Sequence, residues 1–264
     1  MGDLIHLETP VNPSGEARHI AAYAEKAHSR GAFLLVDATF GPPGLQEPFA
    51  WGADVVMHSG TKYLGGHSDL LMGVLAVAEG RREWVKGLVA ERVFLGSVMG
   101  GLEGWLGVRS LRTLELRVRR QSESAGRLVA WLAGCVAGGE GGKEGEVVRR
   151  VVGRVQHASL QEGDMAWLRR QMPVGFGPVF AIWMRDGGLA RRLPSCLELF
   201  AHATSLGGVE SLVEWRAMTD ESVDHRVLRV SVGLEDWGDL RRDLLSGLER
   251  LAAEDKGGGE DCCL

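Results

Sequence analysis

Two short, mostly apolar runs, each ending at a polar residue, constrain the fold of this chain more than any other feature. The first covers 32–36 and is followed by Asp37, and the second covers 54–57 and is followed by His58. A helical pattern over 16–30 precedes the first run. Continuous apolar strands separated by helices are typical of a buried, mostly parallel sheet. The sequence therefore predicts an α/β fold.

The same alternation extends to either side of these runs. Residues 4–9 and 70–77 predict two further strands, and a helix is expected from about residue 81. A long amphipathic helix is predicted over 108–132, with arginine and glutamate on one face and leucine and valine on the other.

A second, smaller α+β unit is predicted beyond the long helix. It has strand candidates at 179–183 and 227–232. We expect three segments in all: a large domain over 1–112, a C-terminal small domain over 113–254, and a glycine-rich, acidic and disordered tail over 255–264.

Composition excludes several classes of partner. A net charge of -5 makes nucleic acid an unlikely partner. No apolar stretch approaches the roughly 18 residues of a membrane helix. The cysteines suit neither a disulfide framework nor a zinc site, and they favour a reducing, cytoplasmic location. They are Cys135, Cys196, Cys262 and Cys263.

Lys62 is the strongest candidate for chemistry. It follows the second apolar run, between the hydroxyls of Ser59 and Thr61 and a pair of glycines. Ligands of open α/β sheets lie at the carboxyl ends of strands, where this segment and Asp37 both fall. Pyridoxal 5'-phosphate requires a lysine to hold its aldehyde and a carboxylate to keep its ring nitrogen protonated. The two hydroxyls could bind its phosphate.

Other interpretations stay open at this point. Lys62 could be a solvated surface lysine, although its small neighbours would partly desolvate it and make it nucleophilic. Asp37 could be a turn or helix-capping residue. His58 and His67 flank the lysine, but no third ligand has a matching spacing, so no metal site is predicted.

Arg229 is a candidate for binding a carboxylate. In a strand, it shares one face with Val227 and Ser231, opposite an apolar layer. A guanidinium group suits the two oxygens of an amino acid carboxylate. The alternative is an exposed surface arginine.

Five blocks of sequence, in order along the chain, resemble the cystathionine synthase and lyase family of Cys/Met-metabolism enzymes. The blocks are 8–13, 36–40, 58–69, 205–212 and 228–236. The resemblance implies fold-type I of the pyridoxal-phosphate-dependent transferases, which is aspartate aminotransferase-like. It also implies this cofactor, an amino acid substrate and a homo-oligomer, either a dimer or a tetramer.

The resemblance also implies roles for individual residues. Lys62 matches the lysine that forms the imine and moves protons, and Asp37 matches the partner of the ring nitrogen. Ser59 and Thr61 match the phosphate ligands. Residues matching the substrate-binding positions are Asn12, Ser205 and Arg229.

The match is incomplete in two respects. The blocks begin at the family's Glu-Thr-Pro segment, so the resemblance implies an incomplete large domain, weaker cofactor binding and exposed apolar surface. Thr204 stands where synthases and γ-lyases commonly have glutamate, and Asp220 stands where histidine is usual. These differences leave the reacting carbon undetermined.

Three functions follow as expectations. The first is a transsulfuration enzyme of the cystathionine γ-synthase or lyase type, acting by replacement or elimination at the γ or β carbon. The second is a truncated, inactive paralogue that associates with full-length relatives. The third is an aminotransferase of another branch, which the block at 58–69 disfavours.

Overall fold

The structure is a computed structural model that describes residues 2–139 and 142–254. Its contacts divide the chain into two units. The first comprises the residues up to 120 together with 158–177, and the second comprises 121–157 together with the residues from 178 onward. The predicted tail over 255–264 lies outside the described residues.

The elements alternate much as the sequence predicts, and the α/β fold class is confirmed. In chain order they are β1 (Leu4–Glu8), α1 (Ile20–His28), β2 (Phe33–Asp37), β3 (Val55–Ser59), β4 (Gly73–Val77), α2 (Trp84–Phe94), α3 (Gly101–Leu111), α4 (Leu114–Val136), α5 (Lys143–Val151), β5 (Val152–Gln156), α6 (Met165–Gln171), β6 (Val179–Met184), α7 (Gly187–Arg192), β7 (Ala201–His202), β8 (Leu212–Trp215), β9 (Val227–Ser231) and α8 (Trp237–Glu254).

The sheet of the first unit has the order β1-β2-β3-β4. The first two pairs are parallel and the third is antiparallel, which confirms the mostly parallel sheet. Leu34, Val36 and Val56 are almost fully buried, and they pack with the apolar face of α1, which includes Ile20 and Ala24. Burial on this face explains why β2 and β3 are recognisable as apolar runs.

The sheet of the second unit has the order β5-β6-β9-β8-β7, with all pairs antiparallel except β7 and β8. Every residue of β9 is buried. The core of this unit joins the sheet to apolar residues of α4, α5 and α8, such as Leu132, Val148 and Leu244. This agrees with the α+β unit predicted for the second half of the chain.

The division into units differs from the predicted boundary between 112 and 113. Residues 158–177 belong to the first unit, where they pack against Ala17 and where glutamine side chains fasten them to the N-terminal loop. Gln171 accepts a hydrogen bond from Ile20 N (3.0 Å) and donates to Arg18 O (2.9 Å). Gln161 accepts a hydrogen bond from Ala17 N (2.7 Å) and donates one to Ala17 O (3.1 Å). Such long-range polar pairs leave no periodic signal in sequence.

Many large apolar side chains between 71 and 116 are exposed. Phe94 is 87% exposed, Leu71 is 81% exposed and Trp105 is 62% exposed. No residue of α2 is buried. Apolar side chains exposed in such number are typical of surfaces that contact another polypeptide.

The glutamine anchors give a testable prediction for stability. Gln171→Ala removes the side-chain acceptor of Ile20 N and the shorter of two hydrogen bonds to Arg18 O, at a cost of about 1–3 kcal/mol in the free energy of unfolding. Urea denaturation measures this loss. The control is Arg170→Ala on the same helix, at an exposed position, which we expect to change stability by about 0.5 kcal/mol or less. Equal effects of the two substitutions would contradict this account.

Candidate active site

The carboxyl ends of three parallel strands bring the predicted cofactor residues of the first unit together. Glu8 pairs with Asp37 in the register of β1 and β2, and Asp37 pairs with Met57 in the register of β2 and β3. Ser59 ends β3, and Lys62 follows it within one turn of chain. The sheet edge thus combines a carboxylate, a hydroxyl and an amine.

Asp37 is half-buried at this edge. Its Oδ1 accepts a hydrogen bond from Thr39 N (2.9 Å), so it does act as the turn residue of the simpler interpretation. Among the residues that the structure describes, Oδ2 accepts no hydrogen bond. A carboxylate oxygen can accept further hydrogen bonds. The turn role therefore leaves Asp37 able to bind a protonated ring nitrogen.

Thr39 also fixes the neighbouring strand end. Its hydroxyl accepts a hydrogen bond from Ser59 N (2.9 Å). The loops after β2 and β3 are therefore held together directly at the point where Asp37 and Ser59 lie.

Thr61 has a structural contact that sequence did not predict. Its Oγ1 accepts a hydrogen bond from Met72 N (3.0 Å) and donates a long one to Met72 O (3.5 Å). The hydroxyl must turn away from Met72 O to donate to a phosphate, which its single-bond rotation permits. The predicted role of Thr61 as a phosphate ligand stays a prediction.

The backbone around Lys62 forms a tight helical turn. Lys62 N donates to Ser59 O (3.1 Å), Gly65 N donates to Gly60 O (2.8 Å), and Gly66 N donates to Lys62 O (2.6 Å). Gly66 has a φ of 71°, in the left-handed region that favours glycine. The glycine pair of the motif thus closes the turn, and Lys62 itself is half-buried.

Arg117, which sequence analysis missed, anchors this turn. Its side chain is buried, with 4% of the residue exposed. Nη1 donates to Tyr63 O (2.9 Å), Nη2 to Ser110 O (3.0 Å), and Nε to Thr113 Oγ1 (3.1 Å). A side chain at Gly66 would collide with the guanidinium group. Burial lowers the pKa of Arg117 below its ordinary value.

Two acid–base groups beside Asp37 have shifted pKa values. Burial raises the pKa of Glu8, a hydrogen bond from Asn12 N (3.1 Å) opposes this shift, and the charge of Asp37 adds to it. Burial lowers the pKa of His58, against the opposing effects of Asp37 and a backbone hydrogen bond to Ala38. Among the described residues, His58 Nδ1 has no hydrogen-bond partner.

His67 has a local structural contact, since its Nδ1 lies 2.8 Å from Gly65 O. The described residues contain no cluster of side chains suited to a metal ion. Within those residues there is also no helix that combines the length and apolar character needed to cross a membrane.

Arg229 and Ser205 lie in the second unit. Arg229 is central in β9 and only 3% exposed, so the interpretation as a surface arginine is wrong. Its Nη2 donates to Ser205 O (2.9 Å) and to Thr204 O, and it lies 2.6 Å from Glu214 Oε2. Glu214 is opposite Arg229 in the register of β8 and β9. Sequence analysis missed Glu214, because only the register reveals the pair.

The loop after Ser205 is fastened to the end of β9. Gly207 N donates to Ser231 Oγ (3.0 Å), and Gln121 Nε2 donates to both Gly208 O (2.6 Å) and Val232 O (3.1 Å). The two sequence blocks at the C-terminal side of the chain therefore form one structural element.

Known proteins with similar sequences identify the family. A sequence profile described as Cys/Met metabolism PLP-dependent enzyme matches residues 2–249. The chain belongs to this family. The family and the cofactor predicted from the sequence are thereby confirmed.

Individual relatives carry several activities. The chain is 38% identical to a cystathionine γ-synthase from Mycobacterium bovis, over 93% of this chain and 61% of the relative. It is 34% identical to an O-succinylhomoserine sulfhydrylase from Pseudomonas aeruginosa, over 94% of this chain and 60% of the relative. The chain thus spans about six-tenths of the length of these curated relatives.

A solved structure confirms the fold. The crystal structure of an apo methionine γ-lyase from Micromonospora echinospora has a TM-score of 0.82 and 37% identity, over 94% of this chain and 63% of that one. The fold-type I architecture predicted from the sequence is that of this neighbour.

The donor groups of the first unit fit pyridoxal phosphate. Asp37 offers an acceptor oxygen suited to a protonated ring nitrogen, and Lys62 offers an amine on the turn that follows the adjacent strand. Ser59 offers a hydroxyl at the end of that strand. The residues present can hold the cofactor's ring nitrogen, aldehyde carbon and phosphate.

Removing the anchor of the Lys62 turn should destabilise the fold. Arg117→Met removes three hydrogen bonds to oxygen acceptors, and we expect a loss of about 3 kcal/mol in the free energy of unfolding. Urea denaturation tests this. Arg119→Met is the matched control, because Arg119 is exposed and pairs with Glu115 on the same helix. A loss no larger than that of the control would show that Arg117 does not anchor the turn.

His58 predicts a dependence of stability on pH. Its pKa is lowered on folding, so the unfolded chain takes up the proton first as pH falls below the ordinary value of 6.5. Its stabilising contribution is complete above that pH and is lost towards lower pH. Thermal melts at about pH 7 and pH 5.5 should show a larger drop for the wild type than for His58→Gln. His202→Gln, at an exposed position, should keep the wild-type drop.

Proposed function

We propose that this chain is a pyridoxal-phosphate-dependent transsulfuration enzyme of the cystathionine γ-synthase or lyase type. Its substrate would be a sulfur-containing or O-acyl amino acid, which reacts by replacement or elimination at the β or γ carbon. The observation that carries the proposal is the position of Lys62 on a turn at the carboxyl end of β3, beside Asp37 at the end of β2.

In the proposed reaction, side chains of the first unit have separate roles. Bound pyridoxal phosphate supplies a ring that accepts electrons from the substrate. Asp37 keeps the proton on the ring nitrogen by accepting its hydrogen bond through Oδ2. Lys62 Nζ holds the cofactor aldehyde and, once released, takes a proton from one substrate carbon and delivers it to another.

Phosphate binding in this chain rests on Ser59 and Thr61. Ser59 can donate its hydroxyl directly, while Thr61 must first give up its long hydrogen bond to Met72 O. Both hydroxyls are uncharged, so they bind a phosphate dianion less strongly than an arginine would. We therefore expect the cofactor to be held mainly through Lys62 and Asp37, and to be lost readily on dialysis.

Recognition of the substrate is assigned to the other three predicted residues. Arg229 binds the α-carboxylate through its guanidinium group, and Asn12 and Ser205 orient the substrate. The substrate is a small amino acid, and we propose a homo-oligomer in the cytoplasm. The different activities of the relatives support the reaction class and leave the identity of the γ or β substituent to assay.

The exposed apolar side chains favour a second candidate function. Phe94, Leu95 and Leu71 lie on the surface of the first unit and suit contact with another polypeptide. In this alternative, the chain is an inactive paralogue that associates with full-length relatives. It predicts binding to such a relative without any covalent capture of the cofactor.

Borohydride labelling separates the two functions. Purified chain mixed with pyridoxal phosphate should develop a visible absorption band, and borohydride should fix the cofactor on Lys62, as located by mass spectrometry. Lys62→Ala should lose both the band and the label. Lys26→Ala, at an exposed position in the last turn of α1, should keep both.

The labelling result is decisive in each direction. A label that survives in Lys62→Ala would assign the amine to another residue. A wild-type chain that shows neither band nor label would favour the inactive paralogue. Asp37→Asn should keep the label on Lys62 while losing turnover, because its amide no longer stabilises a positively charged ring nitrogen.

A further inference from the structure

Arg229 belongs to a group of three charged side chains that are largely shielded from solvent. Glu214 is 1% exposed, and its carboxylate is shared by Arg229 and Arg216, whose side chains are 3% and 16% exposed. Arg216 Nη1 donates to both oxygens of Glu214, at 2.9 and 3.0 Å. Thr219 Oγ1 donates to Oε1 of the same carboxylate (2.8 Å).

The charges of these three residues do not cancel. Two guanidinium groups carry two positive charges and Glu214 carries one negative charge, so the trio has one positive charge in excess. Arg229 and Glu214 without Arg216 would form a neutral pair. In a neutral pair, the repulsion of an incoming carboxylate by Glu214 would offset part of its attraction to Arg229.

We propose that Arg216 is a positioning residue that neutralises Glu214 and thereby leaves the charge of Arg229 available to a substrate carboxylate. The inference rests on the proposed function of Arg229. Arg216 begins the short 3₁₀ turn after β8. Its Nη1 contacts both carboxylate oxygens and so orients Glu214, whose Oε2 lies 2.6 Å from Arg229 Nη2. Glu214 then holds Arg229 in place without cancelling its charge.

One detail argues against a purely structural role for Arg216. Among the described residues, its buried Nε has no hydrogen-bond partner. A buried donor without a partner opposes folding. Neutralisation of Glu214 gives a reason for an arginine at this position despite that cost. The hydrogen bonds of Arg216 orient Glu214, and its positive charge is the property on which the inference rests.

Acetate serves as a probe for the carboxylate site. Urea unfolding of the full chain is measured with increasing sodium acetate, with sodium chloride adjusted to keep ionic strength constant. Acetate bound to the folded state raises the unfolding midpoint. We expect this increase in the wild type, its loss in Arg229→Met, and a roughly tenfold or greater weakening of apparent acetate affinity in Arg216→Met, because a nearby unit charge is removed.

Three further variants define the cause. Arg216→Lys keeps the charge and should keep most of the acetate response, whereas Arg216→Gln keeps a hydrogen-bonding group and should lose it. Arg216→Gln also replaces Arg216→Met if the latter does not fold. Arg226→Met is the control, since Arg226 forms an exposed pair with Asp224 and should leave the response unchanged.

Two results would overturn the inference. One is a full acetate response in Arg216→Met or Arg216→Gln, which would leave Arg216 with a structural role alone. The other is a wild-type chain that acetate does not stabilise beyond the chloride control. If Arg216→Met loses stability but keeps the acetate response, Arg216 has a structural role alone and the inference is likewise overturned.

The acetate experiment and the labelling of Lys62 test the inference and the proposed function separately. Acetate binding without cofactor capture would leave the inference standing and would contradict the proposed function. Cofactor capture without acetate binding would contradict the inference and leave the proposed function standing. If the chain turns over substrate, Arg216→Gln should raise KM about tenfold or more with a smaller change in kcat, because the lost attraction acts on substrate binding.

Discussion

The parallel pairing of β1, β2 and β3 is the constraint on which the candidate site depends. Parallel strands end at the same edge of a sheet, so three segments that are distant in sequence deliver Glu8, Asp37 and Ser59 to one place. The register decides which side chains meet there. A shift by one residue would move Asp37 to the opposite face of the sheet, away from the Lys62 turn.

The sequence predicted those parts of the fold that are determined by residues close together in the chain. The apolar runs at β2 and β3 are buried, and Lys62 lies in a turn closed by the glycines of its own motif. Contacts made by polar side chains over long separations were not predictable. Arg117 reaches Tyr63, 54 positions away, and Gln171 reaches Ile20, 151 positions away. Nothing in the spacing of such residues indicates that they meet.

The same distinction explains what was missed in the second unit. Arg229 was recognised from its motif, but the strand pattern suggested a surface position. β9 is covered on both faces, so alternation along the strand no longer separates inside from outside. Glu214 and Arg216 gain their importance only from the pairing of β8 with β9 and from the turn that follows. A motif identifies a functional arginine without revealing the charges that surround it.

The charges around Arg229 satisfy two opposing requirements on a buried arginine. A buried arginine must be paired for the protein to fold, yet it must retain charge if it is to attract an anionic substrate. Sharing one carboxylate between two arginines satisfies both demands, since each guanidinium has a partner and the group stays positive. The hydroxyl of Thr219 stabilises Glu214 without altering this balance. Substrate affinity can then be tuned through Arg216, which does not need to touch either the substrate or the groups that carry out the chemistry.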